Sequence, residues 1–100
     1  MIIVTAMMNV KPGIKHAFIL EAKQLVEATR PEKGCISYDL LASTENDDLL
    51  IMLEKWEDID SLNRHMETDH FKKFGDTIER FLTNEIEVNS YSVDSTNKKD

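Results

Sequence analysis

The sequence predicts an α+β fold of the ferredoxin-like kind, β-α-β-β-α-β, with a four-stranded antiparallel sheet and its helices on one face. Three observations predict it. Strand-like alternation fills residues 2–10, and helical spacing fills residues 14–30. Two further strand-like runs then flank a short polar loop at residues 44–48. A second helical stretch and a last strand-like run complete the order.

In the first strand Ile2, Val4, Ala6, Met8 and Val10 share one face. The other face, Ile3, Thr5, Met7 and Asn9, is also partly apolar, so both faces are expected to be covered. Lys11-Pro12-Gly13 is a turn. The first helix is expected from Ile14 to about Arg30. Ile14, Ala17, Phe18, Leu25 and Ala28 form its apolar stripe, and Lys15, Glu21, Lys23, Gln24 and Glu27 its wet side. Pro31 ends it, because proline disfavours helix in the residue before it.

Gly34 to Ser43 is the second strand, with Ile36, Tyr38, Leu40 and Ala42 on one face and Cys35, Ser37, Asp39 and Leu41 on the other. A one-residue bulge would flip these faces, so the side of the sheet taken by Tyr38 and Glu54 stays open. Leu49 to Trp56 is the third strand. It is apolar on both faces and is therefore expected to be central. Asp58 suits the N-cap of a short helix through Met66, with Ile59, Leu62 and Met66 as its stripe. Thr68-Asp69 can break that helix and cap the next. There Phe71, Phe74, Ile78, Phe81 and Leu82 form a stripe to about Leu82. The last strand runs from about Glu85 to Val93. Residues 1–93 are expected to form one domain without repeat or linker, and residues 94–100 a polar, frayed tail.

The formal net charge is -7. Phosphate binding needs a basic stripe, so nucleic acid is excluded as a partner, and an anionic membrane surface is disfavoured. No apolar run approaches the roughly 20 residues of a membrane helix. No signal peptide is read at Met1, and a cytoplasmic location is expected. The single Cys35 can make no internal disulfide, which fits that compartment.

Three constellations of residues could carry chemistry. His65 and His70 lie near many carboxylates, but residues five apart on one continuous helix point about 140° apart. Only a break at Thr68-Asp69 would bring them together, and no metal is expected. Cys35 follows Gly34 with no histidine near it in sequence, and reads as a small buried residue. The third is a pocket between sheet and helices. Glu54 and Trp56 share a strand face, being two apart, and Tyr38 and His65 can reach the same space. A histidine there, titrating near pH ~6.5, can deprotonate a phenol or hydroquinone. The plain structural alternative has His65 capping backbone, Glu54 pairing with a lysine and Trp56 filling core.

Strands 1 and 3 are apolar on both sides, so a lone domain would expose a greasy sheet. A homodimer packed through this open face is expected, with two-fold symmetry.

Gly-Cys-x-x-Tyr at Gly34 to Tyr38, Glu-x-Trp-Glu at Glu54 to Glu57, and Leu-x-x-His-x-x-Thr-x-His-Phe at Leu62 to Phe71 resemble the antibiotic biosynthesis monooxygenase family. Within it, the chain is most similar to bacterial quinol monooxygenases. The resemblance spans about residues 1–93. It implies a dimeric α+β barrel and oxidation of a small quinol or polyphenol by O2 without metal, flavin or haem. By resemblance His65 is the base or orienter. Tyr38 and Trp56 line the pocket, Glu54 orients a neighbour, and His70 and Phe71 complete the substrate site. Asn9 is a further candidate for holding the substrate oxygen. The haem-degrading relatives use Asn, Trp and His where this chain has Ala6, His65 and Gly75, which disfavours haem degradation. Two other functions stay in view. One is a non-enzymatic dimeric module for an apolar ligand. The other is an isomerase or lyase of a small phosphorylated signalling molecule, although the chain has only Arg30 and Arg64 for a phosphate clamp.

Overall fold

A computed structural model describes residues 1–94. The elements are β1 (Ile2–Asn9), α1 (Lys15–Thr29), β2 (Cys35–Ala42), β3 (Leu49–Trp56), α2 (Ile59–Met66), α3 (Asp69–Ile78), a 3-10 turn (Glu79–Phe81) and β4 (Glu87–Ser92). The sheet is antiparallel throughout, in the order β2-β3-β1-β4. This is the ferredoxin-like arrangement, with the second helix divided where Thr68-Asp69 predicted a break. Thr68 caps α3 by accepting from the Phe71 amide, and Asp58 caps α2 by accepting from the Ser61 amide. The tail expected to fray lies, from residue 95 on, outside the described residues. No helix among them is long and apolar enough to cross a membrane.

β1 and β3 occupy the middle of the sheet. Their register sets Val4 opposite Glu54 and Ala6 opposite Met52. Val4, Ala6 and Met8 of β1, with Leu50, Met52, Glu54 and Trp56 of β3, are buried beneath the helices. The alternate residues, Ile3, Thr5 and Met7 with Ile51, Leu53 and Lys55, form the open face and are half-buried.

Two expectations need correction. The α1 stripe is Phe18, Ala22, Leu25, Val26 and Thr29. Ala17 and Ala28 are exposed instead, because the buried arc is set by what faces the sheet and α3. Phe18 anchors it, edge-on to Phe81 at 5.9 Å between ring centroids and tilted to Phe74 at 6.3 Å. In β2 the register slips between Cys35 and Ser37, so Cys35 pairs with Trp56 while Ser37 pairs with Lys55. Cys35 thereby packs against the core, and Ile36 is pushed out to 52% exposure. From Tyr38 onward the expected alternation holds, and Tyr38, opposite Glu54, lies on the helix side.

One close approach positions the site. Gly34 has φ +86, and a Cβ there would lie 1.9 Å from Ser61 Oγ. Glycine lets the β2 entry turn sit directly on α2. The Gly34 carbonyl also accepts from the Glu57 amide at 2.9 Å. The turn carrying Glu32 is fixed at both ends. The Glu32 amide donates to the Thr29 carbonyl at 2.9 Å, and its own carbonyl accepts from the Cys35 amide at 3.1 Å.

Candidate active site

A cavity of about 800 Å³ lies between the sheet and the α2–α3 segment. Val4, Ala6, Met8 and Met52 form its floor, Leu62, Phe71, Phe74 and Ile78 its roof, and Val88 and Ser90 of β4 one side. Its mouth is greasy, because Ile59, Met66, Ile86 and Val88 all line it and are all exposed. Glu54 of β3 and His65 of α2 are the buried polar residues of its lining. An apolar chamber with few convergent polar groups is the usual form of a small-molecule site.

His65 is fully buried on α2. Its ring sits 4.8 Å from Trp56, 5.0 Å from Phe71 and 5.4 Å from Tyr38, centroid to centroid. Nδ1 is 2.8 Å from Glu32 Oε2, and His70 Nε2 lies 2.6 Å from the same oxygen. A carboxylate only accepts, so each of these nitrogens carries a hydrogen and donates a hydrogen bond to it. The other nitrogen of His65, Nε2, then carries a lone pair. It is buried and has no hydrogen-bond partner. Burial lowers the His65 pKa, against which Glu32 pulls upward. The ring is thus held neutral at pH 7, the state that can take a proton.

Glu54 is the second titrating group of the chamber. Burial raises its carboxyl from 4.5 to about 7, and hydrogen bonds from Trp56 and Tyr38 pull the other way. The Trp56 Nε1–H donates to Glu54 Oε1 at 3.0 Å. Tyr38 is pushed above the ordinary phenol value by burial first and by Glu54 next. The Cys35 thiol is also raised, by burial and then by the charges of Glu32 and Glu54. It therefore stays a thiol, as a small packing residue would.

The expectation that His65 and His70 diverge is overturned. The break between α2 and α3 turns both rings onto Glu32, and the three donor atoms lie within 4.8 Å of one another. Two imidazoles and a carboxylate are a donor set that divalent cations use. Here, however, Oε2 is at hydrogen-bond distance from each of the two nitrogens, the geometry of two N–H···O hydrogen bonds. A cation would have to displace both.

The structure brings only some of the expected site residues to the cavity. Glu54, His65 and Phe71 line it. Tyr38 and Trp56 are buried behind it and support His65 and Glu54. His70 faces a separate shallow groove beside Glu21 and Lys73, and reaches the site through Glu32. Asn9 alternates onto the open face, away from the chamber, and its carbonyl accepts from the Thr83 amide. Ala6 and Gly75, noted against haem degradation, both line the cavity. Sequence reasoning missed Glu32, which reads as part of a solvated Pro-Glu-Lys-Gly turn. The only signal was that Pro31 and Gly34 make that turn rigid.

Such a sheet with a chamber under its helices defines a class, the ferredoxin-like α+β proteins with a buried histidine in an apolar site. The sequence pattern of antibiotic biosynthesis monooxygenases matches residues 1–77. The chain belongs to that family. It is 39% identical over 74 residues to "Putative monooxygenase YcnE" of Bacillus subtilis, covering 74% of this chain and 78% of that protein. It is 28% identical over 88 residues to "Probable quinol monooxygenase YgiN" of Escherichia coli, covering 78% and 85%. A crystal structure of a conserved protein from Methanosarcina mazei superposes with TM-score 0.87 at 40% identity, over 90% of this chain and 89% of that one. One described as an antibiotic biosynthesis monooxygenase gives 0.87 at 26% identity, over 95% and 100%. This membership supports a monooxygenase-like role.

Proposed function

We propose that the chain is a cofactor-independent monooxygenase that oxidises a small quinol or polyphenol with O2, acting as a homodimer with His65 as the base. The observation that carries this is the unpartnered, buried Nε2 of His65 in the wall of a largely apolar cavity. A phenol entering the chamber lays its ring against Phe71, Phe74 and Met52. Its hydroxyl then gives a proton to Nε2, and the O–H electron pair stays on the phenolate. The electron-rich ring itself reduces O2. For a hydroquinone the balance is hydroquinone plus O2 giving hydroxyquinone plus water, with both electrons for the second oxygen atom supplied by the substrate. A dry chamber favours the step, because water would otherwise solvate the anion. Glu54, poised near neutrality, is placed to return a proton to reduced oxygen.

The lining argues against a phosphorylated substrate. Among the described residues it holds no lysine or arginine, but it does hold Glu54, Glu79 and Glu85. Arg30 is taken up by Asp39 and the Tyr38 carbonyl, and Arg64 by Ser61. The homodimer reading rests on the open sheet face, where Leu41 and Tyr91 are exposed beside half-buried Met7, Ile51 and Leu53. The test is oxygen uptake by the metal-stripped protein with a panel of hydroquinones, beside His65→Ala. Uptake that survives chelation and falls in the variant supports the reading. A ligand that raises Tm but is released unchanged would instead favour a binding module.

A further inference from the structure

We propose that Glu32 is the positioning residue of this site: it holds the His65 proton on Nδ1 and so leaves the buried, unpartnered Nε2 with a lone pair and not an N–H. The inference rests on the reading of His65 as the base, and it concerns what makes that base competent.

A histidine side chain in water favours the tautomer with its proton on Nε2. Left to itself, His65 would carry its proton on Nε2, and that nitrogen could remove none. Glu32 reverses that preference. Its Oε2 stands 2.8 Å from Nδ1, in a pocket where burial makes an unmade hydrogen bond costly. The second ring nitrogen of a histidine is commonly fixed by such a partner.

The carboxylate is itself held. Its backbone is pinned to Thr29 and Cys35 on either side of a turn bounded by Pro31 and Gly34. From the solvent side His70 donates to the same oxygen at 2.6 Å. His70 is thereby removed from the substrate site and made part of the support for Glu32. The His65 ring has little freedom to turn, because Trp56, Phe71 and Tyr38 pack around it. When Nε2 takes a proton, the new imidazolium lies against the Glu32 carboxylate and its charge is matched. The titratable groups facing the ring are then Glu32 and His70 from one side and Tyr38 from β2. Glu54 shares the cavity.

Long-range 1H–15N spectra of the histidine rings test this without any substrate. At pH 7.5, wild type should show His65 with Nδ1 protonated and Nε2 bare. In Glu32→Leu, which has no acceptor, the proton should move to Nε2. Wild-type protein with the proton on Nε2 would overturn the proposal, as would an unchanged tautomer in the variant. If Glu32→Leu fails to fold, the wild-type spectrum alone decides. Turnover supplies a second readout. Glu32→Leu should lower kcat about 10–100-fold with little change in KM. The acidic limb of its pH profile should move down, because Glu32 raises the His65 pKa. A purely structural role would not move that limb. The expected tautomer in a protein that oxidises no quinol would refute the quinol reading and leave the role of Glu32 standing.

Discussion

Trp56 and Glu54, two residues apart on β3, are joined by a hydrogen bond from the indole Nε1–H to Glu54 Oε1 at 3.0 Å. Neighbours on one strand face seldom need each other, but here one is a buried carboxyl that lines the cavity. The bond favours its charged form, and burial opposes that form more strongly.

That balance predicts an unusual pH dependence of stability. The folded state keeps the Glu54 proton up to about pH 7, whereas an unfolded carboxyl releases it near 4.5. Folding is therefore favoured most below the lower value and loses stability as pH rises through this window. The loss is on the order of 3 kcal/mol. Glu54→Gln cannot titrate. Urea unfolding at pH 4.5 and pH 8 should show it gaining on wild type by about that amount at the higher pH.

Trp56→Phe removes the donor and leaves the ring. The charged form of Glu54 then loses a hydrogen bond of about 1.5–3 kcal/mol. Its carboxyl should titrate well above neutrality, as read by 13C shifts of labelled glutamate. A Glu54 that titrates no higher than in wild type would contradict this.

Gly34→Ala should be costly for two separate reasons. The backbone is in the left-handed region, and a Cβ would strike Ser61 Oγ and Cβ. Together these amount to about 2–4 kcal/mol. Denaturant melts read the loss. Adding Ser61→Gly should recover the steric part and leave the backbone part.

Ile51→Lys tests the sheet-to-sheet dimer. Ile51 lies opposite both Met7 and Leu41 at the centre of the open face. A lysine there would be buried without a partner in a dimer and solvated in a monomer. Analytical ultracentrifugation should find wild type dimeric and the variant monomeric, with far-UV circular dichroism unchanged.

Element order and strand positions were legible because β1 and β3 carry apolar residues on both faces, and because Pro31 and Thr68-Asp69 mark real breaks. What escaped was set by contacts distant in sequence. Nothing local says that Glu32 will meet His65, 33 positions on. A continuous helical period sets His65 and His70 apart, but the break between α2 and α3 interrupts that period. The bulge at Ile36 is likewise invisible to alternation, yet it decides that Cys35 turns inward while Tyr38 keeps its place. Asn9 was a candidate by resemblance only; the alternation of β1 already set it on the face opposite Ala6 and Met8, and there it lies.

The strand order has a consequence for how the chamber comes into being during synthesis. β1, the first strand made, is clasped on one side by β4, the last of the described strands, with Ile2 opposite Ser92. Val88 and Ser90 of β4 wall the cavity. A chain whose final strand is not yet paired can already have joined Glu32 to His65, but one flank of its chamber is open to water. Pairings of such long sequence separation close slowly. The half-made protein therefore cannot enclose its apolar chamber, which is complete only when the last described strand has docked.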